Sequence, residues 1–197
     1  DRLFALLFRY GARDFRAIGH KAITVANCHR LLGVVAPAHT ESMLRSLVLA
    51  LLNHRGEPNP ADSDLAPDRP WRGNLVLATR ANVDRESKGE DDSAAVAEIL
   101  DVLREGSDED ASRAVDAATR RGVPDERLWS GIFLAAGDLM LKQSGIISVH
   151  ANTSVNALHY AYRHQDDPRA RRLLLLQAAA FLPLFRDLLG GERRRLR

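Results

Sequence analysis

One cysteine in 197 residues excludes an intrachain disulfide framework and a cysteine-rich zinc site. That residue, Cys28, reads as a small core side chain. Long apolar runs are also missing. The longest, Leu173–Leu176 with Ala178–Leu182, is broken by Gln177 and falls short of the roughly 20 residues that cross a bilayer. No stretch alternates polar and apolar residues with period two, and no repeat is regular enough for a solenoid. Familiar catalytic signatures are absent too: a Gly-rich phosphate loop, G-x-S-x-G, H-E-x-x-H, C-x-x-C-H, a His-Asp dipeptide and the Glu-x-x-His of di-iron bundles.

Charge of one sign is scarce. The 28 basic and 26 acidic residues leave a net charge of +2. The excess sits at the end of the chain: without 190–197, which holds four Arg and one Glu, basic residues number 24 and acidic ones 25. Such a balance argues against nucleic acid as a partner, and Arg193, Arg194, Arg195 and Arg197 read as a solvated basic tail. With 45% apolar and 27% charged residues, the composition is that of a globular protein with one sizeable core. The chain opens on Asp1 with no signal-like segment, as a trimmed or mature form would, which leaves the compartment open.

What the sequence has instead is helical spacing. The expected architecture is all-α, a single-domain bundle of about eight helices over 1–197. Leu3, Leu6, Leu7 and Tyr10 share one face, ended by Gly11. From Arg16 to Val35 apolar residues fall on both faces, which predicts burial on two sides, with His29 as a hydrogen-bonded core histidine. Pro37 breaks that run and Thr40 caps the next helix. Pro58, Pro60, Pro67 and Pro70 then argue against regular structure up to Asn74, so 57–74 reads as a long loop able to fold over a site as a lid. In that loop, Asp62, Asp64 and Asp68 make only a poor match to a calcium loop. A short helix follows from Leu75 to Arg85, then a solvated turn, "RESKGEDDS". Ser93–Arg104 and Asp108–Arg121 read as outer amphipathic helices, the second opened by a capping box of Ser107 and Asp110. Glu126–Gln143 and Ile146–Arg163 read as inner helices. Asp167 and Pro168 open the last one, which Pro183 should kink.

Ile146–Arg163, "IISVHANTSVNALHYAYR", carries more polar side chains than packing needs. Its apolar stripe is Ile147, Ala151, Val155, Leu158 and Tyr162. His150, Thr153 and Ala157 lie on one flank, His159 with Asn152 and Asn156 on the other. His20, beside Gly19 and in line with Thr24 and Asn27, is the matching polar group on the earlier inner helix. The expectation is that His20 and His150 approach each other across the interface of these two helices. Imidazole and carboxylate suit zinc, iron or manganese. The candidate metal ligands are therefore His20, His39, Glu41 and His150, with Asp138 as a catalytic acid and His159 for proton transfer. Trp71, Arg69, Arg72 and Asn156 are the candidate cofactor contacts, Trp71 turned inward and Arg69 or Arg72 paired to an acid.

The blocks "RYGARDFRAIGHKAITVAN", "HTESMLRSLVLALLNH", "DRPWRGN", "GIISVHANTSVNALHYAYR" and "RRLLLLQAAAFLPLFR" resemble an uncharacterised family of bacterial helical proteins, over most of the chain. Over its last third, "HANTSVNAL" followed by an apolar helix ending in Phe-Arg is also similar to questin-oxidase-like proteins, which oxygenate polyketide substrates. That likeness implies roles for His150, Thr153, Asn156 and His159. Two functions follow as expectations. One is an oxidoreductase dependent on iron, zinc or haem that acts on a small apolar molecule in a cavity of the bundle. The other is a non-catalytic binding or assembly module, self-association included, whose histidines are structural.

Overall fold

The computed structural model describes residues 2–13, 15–54, 56–60, 62, 65–79 and 92–190. Among these it has nine α-helices and no strand: α1 Arg2–Gly11, α2 His20–Leu32, α3 Thr40–Leu52, α4 Arg69–Thr79, α5 Asp92–Glu105, α6 Asp108–Arg120, α7 Asp125–Lys142, α8 Ile146–Arg163 and α9 Pro168–Leu188. Two single 3-10 turns, Pro37–His39 and Ala66–Asp68, lead into α3 and α4. The basic tail 191–197, Asp64 and the charged segment 80–91 lie outside the described residues.

The centre of the bundle is α9 rather than α8. Its side chains from Arg172 to Pro183 are all buried, because α1, α4, α5, α6, α7 and α8 pack around it. Leu173 to Leu176 leave no polar face, and each buried leucine contributes about 1.5–3 kcal/mol. Gln177 does not interrupt this core but ties it together. Its side chain donates to the Ala12 carbonyl at 2.6 Å and accepts from Asn74 at 2.8 Å, so both halves of a fully buried amide are satisfied. A second buried polar pair, Arg172 with Asp116 at 3.1 Å, fixes α6 against α9.

Helix ends follow local chemistry. Ser107 and Asp110 form the expected reciprocal cap of α6, and the Asp167 side chain accepts from the backbone N–H of Arg169 at the start of α9. α8 spans Ile146–Arg163, as its spacing predicts.

Three expectations need correction. α2 begins at His20, not Arg16, because Ile18 (φ 46°) and Gly19 (φ 78°) adopt left-handed conformations that no helix continues through. Nor is the run to Val35 buried on both sides, since Leu31 in the last turn of α2 and Val34 beyond it are exposed. Finally, 57–74 is not irregular throughout. α4 starts at Arg69, and Pro70 occupies its first turn, where the missing N–H costs nothing. The segment before α4 is tied down by Arg16, whose guanidinium grips Asp68 and the Pro58 carbonyl and lies 3.6 Å from Glu57. Asp68 is thus spent on an ion pair, which removes it from any calcium loop. The block "DRPWRGN" is accounted for by structure: Asp68 holds Arg16, Trp71 is buried, and Asn74 holds Gln177.

Candidate functional site

α2 and α8 run side by side in the same direction, as three contacts in register demonstrate: His20 with His150, Arg30 with Asn156, and His29 with Tyr160. Their close approach starts at Gly19. A Cβ there would lie 1.9 Å from Ser154 Oγ, so only glycine lets the first turn of α2 press onto α8. Ser154 Oγ is itself buried and has no hydrogen-bond partner among the described residues. Ile18, a β-branched residue held at positive φ, marks the same turn as strained. This tight junction brings His20 against His150.

The two rings meet edge to face, with centroids 4.5 Å apart and Nε2 atoms separated by 2.9 Å. Each Nδ1 sits 2.6 Å from a backbone carbonyl, Ala17 for His20 and Ile146 for His150. A carbonyl only accepts, so both Nδ1 atoms carry hydrogen. With Nδ1 so occupied, a ring that carries no second hydrogen turns a bare lone pair on Nε2 toward its partner. The pair is open on one side: His20 is exposed and His150 half-buried.

Further along the same helices lies a groove of about 410 Å³, lined by Ile23, Asn27 and Arg30 of α2, Asn152, Thr153, Asn156 and Ala157 of α8, and Phe133 of α7. His20 and Ile23 are three residues apart, as are His150 and Thr153, so the histidine pair continues the stripes that form the groove walls. Arg30 is the charged group in it. The guanidinium donates to the side-chain oxygens of Asn27 and Asn156, both at 3.1 Å, and lies 4.0 Å from the centre of the Tyr160 ring. It meets no carboxylate among the described residues.

The structure brings together only part of the expected site. His39 ends an exposed 3-10 turn, and Glu41 is an exposed residue paired with Arg45 one turn away at 2.7 Å. Both belong to the segment whose main packing partner is α2, and they form no group with His20 and His150 able to hold a metal. No group of three or more His, Cys, Asp or Glu able to hold a metal exists among the described residues. Asp138 lies on α7 in an ion pair with Arg104 of α5 at 2.5 Å, which commits it to packing.

His159 is nine residues, or half a turn out of phase, from His150. It packs against Trp129, Phe133 and Tyr162, and burial followed by the Arg163 charge pushes its pKa down. It cannot relay a proton to the pair on the other flank. Trp71 is turned inward, as expected, but within α4, which packs on α9 and α6. Arg69 and Arg72 are on the exposed side of that helix. These three do not line the groove, whereas Asn156 does.

Sequence reasoning missed Arg30 and Tyr160. The available signal was that Arg30 follows His20, Ile23 and Asn27 at helical spacing. His29 is the hydrogen-bonded histidine expected, 2.8 Å from the Tyr160 hydroxyl and edge to face with Phe4, Phe8 and His164. Burial, then the charges of His164 and Arg30, lowers its pKa. Tyr162, whose hydroxyl donates to Asp125 and accepts from Arg171, is pushed up to about 12, chiefly by burial.

No family model, curated protein sequence or solved structure matches this chain. Its function is therefore argued from the geometry of the groove and the histidine pair.

Proposed function

We propose that this chain binds a small organic acid with an apolar body in the groove between α2, α7 and α8. The observation that carries this reading is Arg30, a guanidinium held by two amide oxygens and an aromatic face, with no carboxylate against it among the described residues. Because Asn27 and Asn156 spend their oxygens on Arg30, their Nδ2 groups remain as donors beside it. Three sets of N–H donors and one positive charge at one spot suit a carboxylate, whose charge-assisted hydrogen bonds are about twice as strong as neutral ones. Ile23, Phe133 and Ala157 supply an apolar wall for the rest of the molecule. The volume lies within the range of about 300–1,000 Å³ usual for small-molecule sites.

Calorimetric titration with benzoate, phenylacetate and hexanoate, each beside its uncharged amide, tests the reading. At least one acid should bind and its amide should not. Arg30→Gln should weaken the acid about tenfold or more, as loss of a charged hydrogen-bonding partner does. Equal binding of acid and amide, or no effect of Arg30→Gln, would overturn it.

A second reading, the metal-dependent oxidoreductase expected from the sequence, is favoured by one observation. Two imidazoles face each other at the end of the same groove, and a metal with two protein ligands keeps positions open for oxygen or substrate.

A further inference from the structure

We propose that His20 and His150 are the two protein ligands of a divalent transition-metal ion that prefers nitrogen donors at right angles, copper(II) or nickel(II) ahead of zinc. The proposal stands whether or not the groove takes an acid.

It begins from the tautomers. Both Nδ1 atoms donate to carbonyls 2.6 Å away, so the facing Nε2 atoms are both lone-pair bearers. Two bare lone pairs 2.9 Å apart repel, and the arrangement is stable only with an electrophile between or beside them. That electrophile is either one proton, which makes one ring an imidazolium, or a metal ion. The surroundings have the form of a metal site. A backbone carbonyl on the far nitrogen is the usual outer partner of a metal-bound imidazole, since it fixes the tautomer and makes the ligating nitrogen more basic. Here both rings have one.

The separation selects the metal class. With metal–nitrogen bonds of about 2.0–2.1 Å, nitrogens 2.9 Å apart subtend about 90° at the ion, whereas a tetrahedral centre needs about 3.3 Å. A right angle belongs to tetragonal and octahedral shells, so copper(II) and nickel(II) fit without moving the helices. The strained Ile18–Gly19 turn and the absence of a side chain at Gly19 set this separation, since they decide how near the start of α2 comes to α8. The exposed side of the pair leaves the remaining positions to water or to a ligand in the groove.

The experiment is titration of the full chain with copper(II), nickel(II) and zinc, each metal alone, followed by calorimetry and, for copper, electron paramagnetic resonance. The expected result is one tight copper equivalent whose spectrum carries coupling to two imidazole nitrogens, with nickel binding more tightly than zinc. His20→Ala and His150→Ala should each weaken copper by at least the 10–100-fold, roughly, that loss of a mere outer partner costs. His39→Ala, an exposed histidine outside the pair, should change nothing. A measurement free of variants guards against misfolding: one equivalent of copper should protect His20 and His150 from diethylpyrocarbonate, read by mass spectrometry. Absence of stoichiometric copper binding, or binding that leaves both histidines reactive, overturns the proposal in favour of a shared proton. Zinc binding more tightly than nickel overturns the right-angle assignment.

Discussion

Gly19 stands against Ser154 with no room for even one carbon between them: a methyl group on Gly19 would come within 1.9 Å of Oγ and 2.8 Å of Cβ. The contact joins the first turn of α2 to the middle of α8. Everything that follows along the two helices, from the histidine pair to Arg30 and Asn156, depends on that spacing.

Gly19→Ala should therefore destabilise the protein by about 2–4 kcal/mol, the combined cost of an alanine at φ 78° and of overpacking against α8. Urea denaturation measures it. Adding Ser154→Gly should return part of the loss, because Ser154 Oγ has no hydrogen-bond partner among the described residues to sacrifice. If the double variant were no more stable than Gly19→Ala, the clash would not be the cause.

Asn156→Asp places a carboxylate where an amide oxygen already accepts from Arg30. The substitution supplies internally the negative charge that the groove is proposed to take from a ligand. Affinity for the acid identified by titration should fall about tenfold or more, while stability should change by no more than about 1 kcal/mol, as for an exposed ion pair. Unaltered acid affinity, measured by calorimetry, would mean that the ligand does not engage Arg30.

His29 and His159 both have lowered pKa values, in each case chiefly because burial disfavours the charged ring. In the unfolded chain they take up protons in the ordinary imidazole range, and in the folded chain only below it. Their contribution to stability is thus complete above that range and is lost as pH falls through it toward the lowered folded values. Urea midpoints should drop from neutral to mildly acidic pH, and His159→Gln should make the drop smaller. A midpoint that rises on acidification would contradict the burial of both rings.

Much of this protein was legible in its sequence because the information is local. Helical spacing marks α8 from Ile146 to Arg163, Ser107 and Asp110 mark the cap of α6, and the absence of period-two alternation marks an all-α fold. The polar flank of α8 and the Gly19–His20 pair were likewise sufficient to place His20 against His150, since both lie on stripes that two packed helices must share.

The rest depends on which helix meets which, and spacing within one helix does not carry that. His39, Glu41, Asp138 and His159 have the right chemistry for a site, yet each faces a different neighbour: solvent, Arg45, Arg104 and Trp129. Pro70 and Trp71 read as loop residues because proline fits a helix without cost only in its first turn, and Pro70 takes that place in α4, a register that the contacts of α4 with α9 decide. Arg30 carries no local mark of a site; Asn27, Asn156 and Tyr160 close around it from two helices. Sequence determined the elements and their polar faces. Tertiary structure decided the site, because a binding geometry is a relation between side chains on separate helices, and only their packing brings those side chains within bonding distance.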